Sequence, residues 1–522
     1  MLKSPNARLP ALASIFLSSL LDAPGFAATV TVDRGSPQVP GVNYHEVSSA
    51  VGNFRKVDVW GNGSGDTVLI SQGSYRIANE LLPGFVTNND VDEAVPGGDG
   101  TLTLRAAPGA TPIIALDPVN PGVQFFYFKK QGRYILEGLT FVGPEGQPNI
   151  MGGTNRACLA ADPFQMEGVA IRLEVRNCVF TKNNGSDGAV MDFTGSPPDN
   201  STPGVLQRIL YVGDNQSVGT LDVLFEDCVI AYSNHTEAIR IDRNVDDPAL
   251  DTRSFTFRNV LFASNRTRPL RVTSAYATAA FTFEKCCFIN SPGELARFTD
   301  TQAGPSVRFS DCIFSSLPAG GASGIRLEGG GFLNLVVERC TFHGGAADAI
   351  RFHGPVGPLL GQDTLVLRDL IDVNGNASLL RYQPSASELP PGGQPVSLSV
   401  EAIASDGATP GDSHLSIETT FSSLYGGTGP ISDVPLSDFV STSFDSATFA
   451  DIRAWDPESN DFFDIAQHAA PKYRDMGSAG ADLTGGGQCV GCDAIDPTPT
   501  ATPNPTPTPN PSGIENWMLY AD

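Results

Sequence analysis

The chain has 522 residues, 33 Lys and Arg against 57 Asp and Glu, and a formal net charge of −24. That balance argues against nucleic-acid binding through a general positive field, and no run of about twenty apolar residues is available to span a membrane. With 55 Gly, 40 Pro and almost no helical periodicity, the composition points to a turn-rich all-β protein.

The N-terminus carries Lys3 and Arg8, an apolar run from Leu9 to Leu21, and small residues at Gly25, Ala27 and Ala28. This reads as a secretory signal peptide over residues 1–27, cleaved after Ala27, and implies a secreted or cell-surface protein. Residues 28–63 read as an N-terminal cap over the open end of a solenoid. Asp66-Thr-Val-Leu-Ile-Ser-Gln-Gly-Ser-Tyr75 then gives the first coil strand with its turn, and Thr101–Arg105 and Thr111–Leu116 give the next coil.

From residue 134 an eight-residue pattern recurs: apolar, any, apolar, polar, polar, Cys or aliphatic, any, aromatic. Its copies include Leu173-Glu-Val-Arg-Asn-Cys-Val-Phe180, Phe255-Thr-Phe-Arg-Asn-Val-Leu-Phe262, Phe281-Thr-Phe-Glu-Lys-Cys-Cys-Phe288, Val307-Arg-Phe-Ser-Asp-Cys-Ile-Phe314 and Leu335-Val-Val-Glu-Arg-Cys-Thr-Phe342. The sixth positions fall at 139, 178, 228, 260, 286, 312, 340, 370 and 403. Period-two alternation inside a unit of this length marks stacked coils of short strands, each too small to bury its apolar face alone. Between the two strands of each copy lies a two-residue corner. Its second place holds Gly138, Asn177, Asp227, Asn259, Lys285, Asp311, Arg339 and Asp369, a bias toward residues that tolerate left-handed backbone. The register predicts that Phe180, Phe257, Phe283, Phe309, Phe314 and Phe342 lie in the core above stacked Cys286, Cys312 and Cys340.

A third strand follows 11 to 14 residues after most sixth positions, with Arg between two apolar residues. The arginines are Arg240, Arg271, Arg297, Arg326, Arg351 and Arg381, while Val190-Met191-Asp192 reads as a copy with Met in the middle. Alternation turns the apolar neighbours inward and the arginines outward, in a single ladder. Two insertions stand out, at 193–219 and 242–254. The second carries Asp242, Asp246 and Asp247, which offer carboxylate ligands for calcium or a solvated acidic loop. His235 has acid–base chemistry or is a turn residue. Asn234 and Asn265 match the glycosylation pattern but read better as a repeated turn.

The coils run over residues 64–412, with the last coils and a C-terminal cap at 413–495. Residues 496–512 alternate Pro with Thr and Asn as an extended linker, and 513–522 form a terminal peptide. Among nine cysteines, those at sixth positions read as unpaired core thiols. Cys489 and Cys492 lie outside the coils and read as a small disulfide.

The opening coil, the Asn/Asp corner and the Arg-bearing strand resemble the right-handed parallel β-helices of the pectate-lyase-like superfamily, over residues 60–410. The resemblance implies an all-β, single-stranded right-handed parallel β-helix. It also implies that the third strand floors a polysaccharide groove walled by the insertions, and that an arginine acts as the proton-abstracting base in the lyases. The lyase segments Trp-Ile-Asp-His and Arg-x-Pro-x-x-Arg are absent. Of the polygalacturonase set only an isolated Asp246-Asp247 occurs, and Phe352-His353-Gly354 shares a dipeptide with one motif.

The six arginines suit bidentate recognition of uronate carboxylates, or else stack and pair with Glu237, Glu294, Glu328 and Asp348. Three functions follow: a carbohydrate-binding secreted or surface protein, a divergent polysaccharide lyase or glycoside hydrolase, and a structural spacer or adhesin. The first is the expectation, with polysaccharide as partner, no cofactor beyond optional calcium, no nucleic acid and no membrane span. The sequence leaves catalysis and the oligomeric state open.

Overall fold

A strand whose alternate residues are apolar can bury one face only if another strand stacks on it, and here that stacking is continuous. The computed structural model describes residues 29–40, 42–45, 47, 65–77, 101–116, 124–128, 132–142, 157–161, 169–181, 208–212, 219–231, 233, 237–242, 252–263, 265, 267–273, 279–289, 291, 293–301, 305–315, 323–329, 334–343, 348–353, 363–373, 379–383, 396–405, 415–417 and 431–433. Every named element among them is a strand. The strands pair in parallel from coil to coil, as in Val169–Arg176 on Gly219–Glu226 and Glu237–Asp242 on Arg268–Thr273. The fold is a right-handed parallel β-helix, the hand expected of parallel crossovers within one sheet.

Each coil contributes to three ladders. A long-strand ladder runs through Thr252–Arg258, Ala279–Glu284, Ser306–Ser310 and Asn334–Glu338. A corner ladder runs through Leu261–Ala263, Cys287–Ile289, Ile313–Ser315 and Thr341–His343. These two join into one 23-stranded sheet, because Asp363–Val373 continues through its corner and pairs with both Asn334–Glu338 and Thr341–His343. The third ladder is a separate ten-stranded sheet that carries the arginines.

The corner between the first two ladders is set by backbone chemistry. Asn177, Asp227, Asn259, Lys285, Asp311 and Arg339 all have φ between 49° and 56°, and Gly138 has φ 69°. A left-handed residue costs about 1–2 kcal/mol when it is not Gly. Neighbouring corners offset part of that cost: the Asn259 amide donates to Asp227 Oδ1 at 2.6 Å, and Arg339 forks onto Asp311 at 2.8 and 2.9 Å.

Inside, identical positions stack. Phe225, Phe257, Phe283 and Phe309 form one column with successive centroids 5.5, 4.9 and 4.5 Å apart. Phe262, Phe288, Phe314 and Phe342 form another at 4.5, 5.0 and 4.9 Å. Offset-stacked and edge-on aromatic contacts add to the burial of each ring. Cys286, Cys312 and Cys340 are fully buried thiols in a third column, with Cys178 and Cys228 in the same position of earlier coils. Burial pushes the Cys178 thiol up to about 12, so these sulfurs act as small apolar groups.

The ladders take in a strand of the segment read as the N-terminal cap and continue into the span given to the last coils. Thr29–Val32 pairs in parallel with Thr67–Ile70, Leu415–Ile417 with Leu380–Tyr382, and Ile431–Asp433 with Ile403–Ser405. One assignment is corrected. The rung read as Val190-Met191-Asp192 is occupied by Arg208–Val212, which lies between Ala157–Ala161 and Glu237–Asp242 in the arginine sheet. Its Arg-Ile-Leu-Tyr-Val reading lacks an arginine between apolar residues, so the pattern passed over it, and the long connection precedes this strand rather than following it. The signal segment, His235, Asp246, Asp247, Cys489, Cys492, the linker and the terminal peptide lie outside the described residues.

Candidate functional site: the arginine face

Backbone register places Arg240, Arg271, Arg297, Arg326, Arg351 and Arg381 in one continuous column, each directly beside the next. Their apolar flanks face inward. Ile239, Leu270, Val272, Ala296, Phe298, Ile325 and Ile350 are all fully buried. The column extends by register to Tyr211 before Arg240 and to Ser416 after Arg381.

Adjacent strands are about 4.8 Å apart, and two like charges at that distance repel by roughly 1–3 kcal/mol at effective dielectric constants between those of water and a protein surface. Carboxylates on both sides of the column offset this. Arg271 contacts Glu237 at 3.2 Å, Arg297 contacts Glu328 at 2.9 Å and Glu294 at 4.0 Å, and Arg381 reaches Asp348 at 3.8 Å. Arg326 contacts Glu294 at 2.6 Å and also bonds Glu328. Arg268, three residues before Arg271 on the same strand, adds contacts of 3.3 Å to Glu237 and 3.1 Å to Glu294. These five guanidiniums therefore share four carboxylates.

Glu237, Glu294 and Asp348 lie deeper than the arginines they pair with, while Glu328 is as exposed as Arg326. The Glu237 side chain is 2 % exposed, whereas Arg271, Arg297 and Arg326 are 28, 22 and 25 % exposed. For Glu294 and Glu328, burial is the largest single influence and works to raise the pKa, but the arginines together outweigh it and both carboxyls titrate below their ordinary value. The Nε–H groups of Arg271, Arg297 and Arg326 are buried without a hydrogen-bond partner among the described residues. The terminal amino groups of Arg271, Arg297 and Arg326 are the ones that engage Glu237, Glu294 and Glu328, so the face is a row of guanidiniums held in place by flanking carboxylates.

The long-strand sheet handles charge differently. One of its outward columns reads, by register, Arg105, Glu137, Arg176, Glu226, Arg258, Glu284, Ser310, Glu338, Arg368 and Glu401. Sign alternates at every step except the two that flank Ser310. Arg258 lies 2.9 Å from Glu226 and 3.0 Å from Glu284. Where Ser310 interrupts the alternation, Arg308 from the adjacent column bonds Glu338, which Arg368 also binds. A second such node is Glu174, fully buried and contacted by Arg133, Arg172 and Arg176 at 2.6, 2.7 and 2.9 Å. Burial again works to raise the pKa of Glu174 and Glu338, and the surrounding arginines overcome it.

Asn265 behaves as the turn residue that the sequence favoured. It is fully buried, its Oδ1 accepts from the Ser233 N–H at 3.1 Å, and its amide donates to the Ile230 carbonyl at 3.2 Å. Among the described residues no group of three or more His, Cys, Asp or Glu is arranged to hold a metal ion. His353 stands beside Glu328 in register, within the arginine sheet rather than in a turn after it.

No protein-family model matches the chain, and no curated protein is detectably similar in sequence. Among solved structures, ORF18 of Geobacillus virus E2 is similar over 83 % of this chain and 66 % of its own, at 10 % identity and a TM-score of 0.35. This chain thus spans just under two thirds of that protein. A mannuronic acid-specific polysaccharide family 6 lyase from human gut microbiota is similar over 85 % of this chain and 95 % of its own, at 12 % identity and a TM-score of 0.36.

Proposed function

We propose that this is a secreted or cell-surface β-helix protein that binds carbohydrate along its arginine sheet, with acidic polysaccharide as the preferred class. The observation that carries the reading is the like-charge column. The neighbouring sheet shows that this chain neutralises outward rungs by alternation, yet on the arginine sheet it repeats the same cation on consecutive rungs. Departures from local stability rules concentrate where function requires them. An extended sugar chain advances along such a column by about one residue per rung, and the terminal guanidinium donors suit carboxylate and hydroxyl oxygens alike.

A second reading, a structural spacer, rests on the ion pairs themselves: Glu237, Glu294, Glu328 and Asp348 already occupy the arginines. Affinity electrophoresis of the mature protein in neutral and uronate polysaccharide gels separates the two. Retardation by uronate polymers supports carbohydrate binding, and mobility unchanged in every gel supports the spacer. Following unsaturated-product absorbance in the same mixtures, with and without calcium, tests the lyase alternative.

A further inference from the structure

In one outward column of the long-strand sheet, two arginines occupy consecutive rungs. By register the column reads Thr101, Arg133, Arg172, Asp222 and Ser254, so Arg133 and Arg172 sit on strands about 4.8 Å apart. On the arginine sheet such neighbours are offset by flanking acids, four carboxylates for five guanidiniums. Here the adjacent column reads Ile135, Glu174 and Leu224, and it supplies a single acid beside the pair.

Glu174 is wholly buried and anchors the guanidiniums around it. Its two oxygens accept from Nε and Nη2 of Arg133 at 2.6 and 2.9 Å. Arg172 approaches the same carboxylate through Nε at 2.7 Å, and Arg176 through Nη2 at 2.9 Å. The neighbouring acids are shared with other groups. Asp222, 3.6 Å from Arg172, accepts from the Ser254 hydroxyl, and Glu226, 3.6 Å from Arg176, lies 2.9 Å from Arg258. Glu137 stands between Arg105 and Arg176 in register. The buried Glu338 also meets three arginines, but there Asp311 holds Arg339 at 2.8 and 2.9 Å as a second acid. At Glu174 the cationic excess is larger, and the side chains of Arg133 and Arg172 are 43 and 53 % exposed. Nη1 of Arg133 and both terminal amino groups of Arg172 donate no hydrogen bond among the described residues.

We propose that Arg133 and Arg172, seated on Glu174 and backed by Arg176, form an oxyanion site that takes a phosphate or sulfate group, free or carried as an ester. A carboxylate offers two oxygens in one plane and fills one guanidinium fork. A tetrahedral oxyanion offers oxygens in several directions and more charge, which suits donors arriving from two rungs. The buried carboxylate already orders the guanidiniums, so less side-chain freedom is lost on binding. The net charge of −24 disfavours anions at long range, but salt screens that field beyond about 8 Å at physiological ionic strength, and the site acts at contact. It lies on the other sheet from the arginine column, so the proposal stands independently of carbohydrate binding there.

Isothermal titration calorimetry of the full-length protein at constant ionic strength tests this, with sodium sulfate and sodium phosphate as the free ions. Dextran sulfate oligomers against unsulfated dextran read the ester. At least one of these oxyanions should bind saturably, and Arg172→Gln should weaken that binding by about tenfold or more. Arg308→Gln removes an equally exposed arginine from the same sheet with the same change in charge, and should leave affinity within a factor of about two. Arg172-dependent binding of the inorganic ions assigns a free oxyanion. Arg172-dependent binding of dextran sulfate alone assigns an ester on a larger molecule. If Arg172→Gln melts well below the natural chain, Arg172→Lys decides: it keeps the charge and loses the fork, and should still weaken binding by about threefold or more. Absence of saturable binding by every probe overturns the proposal. So does binding that the Arg172 variants leave unchanged, or that Arg308→Gln weakens equally.

Discussion

Two outward faces of the same solenoid solve the same electrostatic problem in opposite ways. On the long-strand sheet the rungs alternate, so Arg258 lies between Glu226 and Glu284 and neutralises both within its own column. On the arginine sheet the rungs repeat, and neutrality has to come from acids in flanking columns, with Glu294 serving Arg268, Arg297 and Arg326 at once. The first arrangement closes on itself. The second pairs the terminal nitrogens of Arg271, Arg297 and Arg326 with those acids and holds the three side chains at 22 to 28 % exposure, against 39 and 46 % for Arg176 and Arg258 in the alternating column. Since both faces have the same strand spacing, the difference is not a consequence of the fold. It separates a face that is neutral within its own column from a face that keeps one cation on consecutive rungs by pairing it with acids in the columns beside it.

The broadest way to test this comparison is acidification. Glu174, Glu294, Glu328 and Glu338 all titrate below the ordinary glutamate value of 4.5 in the folded protein. A depressed folded pKa contributes stability that is present above the unfolded pKa and lost as pH falls through the folded one. The melting temperature should therefore be flat above about pH 5.5 and fall progressively below about 4.5. A melting temperature that rises on acidification would contradict the ion-pair account of both faces.

Next in size is Glu174→Gln on the long-strand sheet. Removing the buried charge leaves Arg133, Arg172 and Arg176 facing one another, and we expect a loss of about 2 kcal/mol in chemical denaturation. That is less than for an orphaned ion in a dry core, because the three guanidiniums are half in solvent. Little or no loss would show that the node is solvated rather than structural. Smaller again is Arg258→Glu, which creates three consecutive acids in the alternating column. It should cost about 1 kcal/mol at low salt, shrink as salt screens the repulsion, and be partly recovered by Glu284→Arg in the same chain. A loss insensitive to salt and to the compensating change would remove the basis for reading alternation as a charge device.

Much of this was legible in the chain. The Asn/Asp corner announced itself because left-handed backbone restricts residue choice, and its occurrence at Lys285 and Arg339 was inferable only from position. The aromatic and cysteine columns followed from period-two alternation, which fixes inside and outside without knowledge of the partner strand. The arginine column was readable for the same reason. What stayed hidden was pairing between coils. That Arg105 through Glu401 form an alternating column depends on coil lengths of unequal size, which set register only once the coils are stacked. Arg208–Val212 was missed because a tyrosine replaces the arginine at residue 211 and because its long connection shifted it out of the expected spacing. The pairing of the arginines with Glu237, Glu294, Glu328 and Asp348 was anticipated as one of two readings; the depth of Glu237, Glu294 and Asp348 below the guanidiniums was not, since burial of a charged residue follows from its surroundings rather than its spacing.

The most direct test of the central claim, that the repeated-cation face is the binding face, compares polyuronate affinity across matched variants by isothermal titration calorimetry at low salt. Arg297→Ala/Arg326→Ala removes two guanidiniums from the arginine column, and Arg176→Ala/Arg258→Ala removes two from the alternating column, with the same change in net charge. If the account is right, the first pair abolishes binding, lowers stability by no more than about 1 kcal/mol, and the second leaves affinity within a factor of about two of the natural protein. Equal losses in the two variants would mean that charge and not geometry governs binding, and unchanged affinity in the first would contradict the claim outright.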